Sequence, residues 1–146
     1  MKWPSEIREA VRADHEMVRQ EAARVVSVLE QLPADSVIPT DTDVLVEGLF
    51  QLGLDHLERE EAQVLPEVQG GDAWSDDRTK LLLDHHAAER QAIADIRQKM
   101  AHHDPGTIPA VLAWVAEIKA ESEREDAELL TPAVMSDSLV KVNEGG

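Results

Sequence analysis

His56 and Glu60 stand four residues apart in a segment whose apolar residues recur at helical spacing, Leu45, Leu49, Leu52/Gly53 and Val64. On a helical wheel both fall in line with Leu49, Gly53 and Val64, on the face that should turn inward. A buried charge is costly unless it is paired or holds a metal. Three more segments repeat the anomaly. Glu89 lies seven residues after Leu82 and seven before Ile96, and His85 and His86 precede it by four and three, so either could share its face. His15 adjoins Asp14 on a stripe bounded by Val11 and Val18. The run from Leu57 to Leu65 aligns without gaps on Ser122 to Leu130, which lays Glu121 over His56, and His15–Arg19-Gln20 lies over His86–Arg90-Gln91. Imidazole and carboxylate groups facing inward on four segments are the donor set of a metal centre. With no sulfur, such a set suits iron or manganese better than structural zinc.

Each feature has a plainer reading. One core histidine is more often a satisfied hydrogen-bonding residue than a ligand. A His/Glu pair at i and i+4 can be a surface pair worth about 0.2–0.5 kcal/mol. Glu121 to Glu128 taken alone reads as a solvated acidic face, and His102 and His103 beside Asp104-Pro105-Gly106 read as exposed. Glu58, Arg59 and Glu61 have room to point outward. The conjunction decides against coincidence: several buried carboxylates without a cation repel one another, and one metal centre accounts for all four segments.

The elements that would carry these groups are helices. Punctuation divides the 146 residues into four periodic segments. The first opens at Trp3-Pro4-Ser5 and stops near Leu32-Pro33. The second follows the cap residues Asp41-Thr42-Asp43, frays at Pro66 and ends at Gly70-Gly71. The third runs from Ser75-Asp76-Asp77 to about His102. The fourth runs from Ile108, after Asp104-Pro105-Gly106-Thr107, to about Thr131-Pro132. Segments of roughly 22–28 residues give helices about 35–40 Å long. With short connections they predict an all-α, antiparallel up-down-up-down four-helix bundle over residues 1–135, with a tail over 136–146 in which Leu139 and Val140 could dock. Trp3, Trp74 and Trp114 are expected to pack.

Composition narrows the function. The chain has no Cys, which removes disulfides, Fe–S clusters and thiol nucleophiles, and no Tyr, which removes a phenol acid or radical. Lys and Arg number 14 against 30 Asp and Glu, a net charge of −16 that repels nucleic acid and anionic membranes. Residues 1–16 lack an apolar leader, and the longest apolar run, Ala110 to Ala116, is far too short for a membrane span. The expectation is a cytoplasmic protein.

The segment from His56 through Glu60 to Pro66 resembles the second-helix HxxxE element of the hemerythrin-like (HHE cation-binding) family. That family's pattern is H, HxxxE, HxxxH and HxxxxD, one element per helix, and the resemblance covers about residues 5–132. It implies His15 as the first-helix ligand, His56 as the second-helix ligand, and Glu60 and Asp126 as bridging carboxylates. His85 and Glu89 fall on HxxxH with glutamate for the second histidine, and Glu121 and Asp126 fall on HxxxxD with glutamate for histidine. His86 and Glu125 are the alternatives one register away. The implied cofactor is two iron ions with an oxo or hydroxo bridge, or manganese at one site. Both departures load carboxylates onto one ion, which stabilises its oxidised state and argues against reversible oxygen carriage. The implied partner is a small oxidant (O2, peroxide or NO) that is consumed or sensed, with peroxidase, catalase-like or ferroxidase turnover as the enzymatic forms. The competing expectation is a bundle whose metal site is partly lost, acting on other proteins through its acidic surface.

Overall fold

Pro4 begins the first helix because its fixed φ suits a first helical position where no N–H is needed. In this computed structural model, which describes residues 2–69 and 73–137, α1 spans Pro4–Leu29 and the Trp3 amide donates to the Glu6 carboxylate at 2.7 Å. α2 spans Thr40–Gln63, α3 Leu65–Gln69, α4 Ser75–Ala101 and α5 Thr107–Glu128, and the described residues contain no strand. The all-helical expectation holds, with one more helix than the sequence suggested. The extra boundary sits at Val64. Pro66 cannot donate to the preceding turn, and its ring crowds the carbonyl four residues back, so α2 stops short and Pro66 takes the second position of the short α3. Gly70-Gly71, expected to end that segment, and Leu139 and Val140 of the tail lie outside the described residues. No described helix is long and apolar enough to cross a membrane.

α4 ends where His103 adopts a left-handed φ of 51°, and the Asp104 amide then bonds back to the Lys99 carbonyl at 2.9 Å. Asp104 turns the chain into α5: its carboxylate accepts from the Gly106 amide at 2.7 Å, and its carbonyl accepts from the Thr107 hydroxyl at 2.7 Å.

α1 packs on α2 and α5, α4 on α5 and α2, and α3 on α2 and α4. The buried apolar residues form two separate clusters. The larger holds Val18, Ala22, Val25 and Leu29 of α1, Val46, Leu49 and Phe50 of α2, Ile93 and Ile96 of α4, and Ile108, Val111, Trp114, Val115 and Ile118 of α5. The smaller holds Ile7, Val11, Val64, Val68, Leu82, Leu129, Leu130 and Met135. Between them, on every long helix, the inward positions are polar: His15, His56 with Glu60, His86, and Ser122 with Glu125. Four stripes interrupted at one level define a polar belt inside an apolar interior. Trp114 packs in the larger cluster against Phe50, ring centroids 5.0 Å apart. Trp3 and Trp74, expected to pack likewise, are 42% and 65% exposed because they precede the first turns of α1 and α4.

Candidate metal centre

Glu60 is the hub of the belt. It is 1% exposed, although a lone buried carboxylate would be strongly disfavoured. Its Oε1 meets the Nε2 atoms of two histidines, His15 at 3.3 Å and His56 in a short contact one turn back on the same helix. Its Oε2 lies 3.5 Å from His86 Nε2 on α4. From α5, Glu125 Oε2 comes within 3.1 Å of His15 Nε2. The His15 and His56 rings stand edge to face, 4.6 Å between centroids. His15, His56, Glu60 and Glu125, all buried, offer donor atoms within 4.8 Å of one another, a group that could hold a metal ion.

Two observations test whether a metal fits. The first is spacing. Two donors about 2.1 Å from one ion stand about 3.0 Å apart at a right angle and about 3.6 Å apart at 120°. The separations of 3.1, 3.3 and 3.5 Å between His15 Nε2, Glu125, Glu60 and His86 Nε2 fall in that interval, whereas the His56–Glu60 contact is shorter than it. The second is unmet bonding capacity. Among the described residues, six buried side-chain N or O atoms make no hydrogen bond, and four of them are His56 Nδ1, Glu60 Oε2 and both ring nitrogens of His86. Buried polar atoms are nearly always bonded, so this concentration at one place calls for a further partner. A cavity of about 20 Å³, lined by His15, Gly53, His56, Glu60, Glu89 and Glu125 among others, leaves room for one.

In the metal-free chain protons partly fill that role. Burial alone would lower the affinity of His15 for a proton, but hydrogen bonds to Glu125 and Glu60 together outweigh it and raise its pKa to about 10. Burial would raise Glu60, yet its bonds to His15, His56 and His86 hold it well below the usual carboxylate range. Glu125 goes the other way, to about 8, because burial and its neighbour Glu60 outweigh its bond to His15. Burial also lifts Glu89 to about 7, helped by Glu60 and Glu121 and opposed by His86. His86 is raised, its burial outweighed by Glu60.

The remaining expected residues sit around this hub. Glu89 and Glu121 line the same cavity. His85 turns to the flank, half-buried, with Nδ1 2.5 Å from Glu121 Oε1 beside a pocket of about 130 Å³. Of the two adjacent histidines it is therefore His86 that meets Glu60. Asp126 lies behind His15, its Oδ1 2.8 Å from Nδ1, so the α5 carboxylate at the hub is Glu125. Sequence reasoning missed the roles of Asp14, Arg59 and Glu61. Arg59 and Glu61, given room to point outward, instead reach the histidines' outer edges: Arg59 Nε donates to Asp14 at 2.7 Å, and Glu61 takes two bonds from Arg90. The repeated His-x-x-x-Arg of α1 and α4, His15–Arg19 and His86–Arg90, pointed to Arg90, the partner of Glu61, but no such repeat marked Asp14 or Arg59. No protein-family model, no curated protein and no solved structure matches the chain.

Proposed function

We propose that the polar belt is a dinuclear metal centre of hemerythrin-like type, most naturally di-iron, in an antiparallel up-down-up-down four-helix bundle. The observation that carries this reading is the division of Glu60. Its two oxygens face different histidines, Oε1 toward His15 and His56 and Oε2 toward His86, which is how a carboxylate bridging two ions is placed. One ion would take His15, His56, Glu60 and Glu125. The other would take His86 and Glu60, with Glu89 and Glu121, which line the cavity beside His15 and His56, as further candidates. His85 and Asp126 would then act from outside the first set. The packing of α1 on α2 and α5, and of α4 on α5 and α2, supports the bundle arrangement.

When bound, two iron ions would supply one-electron steps to a small oxidant such as O2, peroxide or NO. The chain's part is to hold the ions, exclude bulk water and keep the imidazole Nε2 lone pairs turned inward. Two apolar clusters seal the belt on both sides. The carboxylate excess at the hub favours the oxidised state, so consumption or sensing of the oxidant is proposed over reversible carriage.

Purified protein reconstituted with Fe(II) without oxygen and then desalted is expected to retain close to two metals per chain by elemental analysis. Retention of one would restrict the reading to the His15–His56–Glu60–Glu125 group. Retention of none, with the fold intact, would leave the acidic surface as the functional feature instead.

A further inference from the structure

We infer that Arg19, Arg59 and Arg90 are positioning residues for the metal centre, each acting through one carboxylate on one inward histidine. This rests on the metal reading above. The three histidines share one construction. His15 Nδ1 meets Asp126 of α5 at 2.8 Å, and Arg19, one turn along α1 from His15, binds that carboxylate at 3.2 Å. His56 Nδ1 faces Asp14 of α1 at 3.7 Å, and Arg59, three residues along α2, binds Asp14 at 2.7 Å. His86 Nδ1 faces Glu61 of α2 at 3.6 Å, and Arg90, one turn along α4, grips Glu61 through two bonds of 2.9 and 2.5 Å. In each case a histidine and an arginine of one helix hold a carboxylate of its neighbour. His85 has a comparable chain through Glu121 to Arg124, but at the flank.

The chemistry of the unit is specific. A carboxylate at Nδ1 selects the tautomer that carries its proton there, which leaves the Nε2 lone pair for a metal. The arginine fixes the carboxylate's rotamer through charge-assisted hydrogen bonds, as Arg90 does for Glu61 through both carboxylate oxygens. Three arginines also cancel the three outer carboxylates, so this outer layer adds no net charge to a centre already rich in acids.

The units are not equally tight. His15 is held by its hydrogen bond to Asp126. His56 and His86 stand 3.7 and 3.6 Å from their carboxylates, beyond hydrogen-bond reach, and their Nδ1 atoms make no other bond. His86 is the histidine of the second ion, so that ion depends most on its arginine, and the first ion fills before it.

The test compares Arg90→Ala with Arg97→Ala. Arg97 joins the same two helices through Glu47 in an exposed ion pair away from the belt. It therefore reports the loss of an inter-helix bridge, together with its stack 5.5 Å over the Phe50 ring, without the site. Each protein is titrated with Mn(II), metal retention is measured, and the Tm of the metal-free form is recorded. R90A is expected to bind the first ion as the unaltered chain does and the second about 10–100-fold more weakly. R97A is expected to keep both affinities, with a metal-free Tm at or below that of R90A because it also loses the contact with Phe50. Should R90A fail to fold, Glu61→Gln, which keeps the shape and removes the charge, is expected to lose the second ion in the same way. Equal affinities in R90A and R97A, or equal weakening of both ions in R90A, would overturn the inference. An unaltered chain that binds no metal overturns the reading beneath it, a result distinct from either.

Discussion

Glu60→Ala is expected to abolish retention of both metal ions and to lower the Tm of the metal-free chain by about 10 °C. The first effect follows from the position of the side chain. Among the described residues it is the one carboxylate whose two oxygens reach histidines on both sides of the belt, so its loss removes a ligand from each proposed ion at once. The second follows from the charges left behind. His15, raised to a pKa of about 10 with the help of Glu60, loses one of its two hub carboxylates, and His86 loses the group that outweighs its burial. Breaking a buried ion pair from one side costs about 3–5 kcal/mol. For a chain of this size each kcal/mol moves Tm by roughly 2–4 °C. Calorimetry on stripped protein and elemental analysis on reconstituted protein measure the two effects separately. A variant that keeps two ions, or that melts within about 2 °C of the unaltered chain, would contradict the role given to Glu60.

Stability is expected to respond to pH in opposite directions with and without metal. In the stripped chain Glu125 and Glu89 have pKa values near 8 and 7, above the ordinary 4.5, so the folded state binds more protons than the unfolded state between those limits. Their contribution is fully present below pH 4.5 and is lost as pH rises to about 8. His15, raised from 6.5 to about 10, contributes fully below pH 6.5 and loses that contribution through pH 10. Glu60, held low, acts oppositely, and its contribution is lost only as pH falls below the usual carboxylate range. Each tenfold change in proton affinity is worth about 1.4 kcal/mol. The stripped chain therefore loses stability, on the order of a few kcal/mol, between pH 5 and pH 9. Metal reverses the slope, because its ligands must be deprotonated to bind and protons compete less as pH rises. Urea unfolding of the stripped and loaded forms at pH 5.5 and 8 checks both signs. Parallel slopes in the two forms would contradict this account.

Much of the architecture is legible in the sequence, because helix breakers and apolar spacing act locally. Pro4, the Ser75-Asp76-Asp77 cap and the Asp104-Pro105-Gly106-Thr107 turn mark boundaries within a residue or two of those observed. The same spacing places His15, His56 and Glu60 inside. What spacing cannot decide is which of two adjacent residues faces the centre. Neighbours on a helix are about 100° apart, so His85 and His86, or Glu125 and Asp126, straddle the edge of the inward face. The rotation of each helix against its neighbours makes the choice. The result here is His86 and Glu125 at the hub, with His85 at the flank and Asp126 behind His15. Long side chains defeat the wheel for another reason. Arg59 and Glu61 leave the helix at the edge of the inward face, yet their functional ends reach charges on neighbouring helices. The Val64 break is invisible to periodicity because Val64 stays buried on the stripe while the backbone restarts at Leu65.

The central claim is that one buried carboxylate lies between two metal ions, and anomalous scattering from crystals of the iron-loaded protein tests it most directly. The account predicts two peaks at the iron edge, one on each side of Glu60. One should lie against His15 Nε2, His56 Nε2 and Glu125, and the other against His86 Nε2. Absence of any peak in the belt, or peaks confined to surface carboxylates, would contradict it.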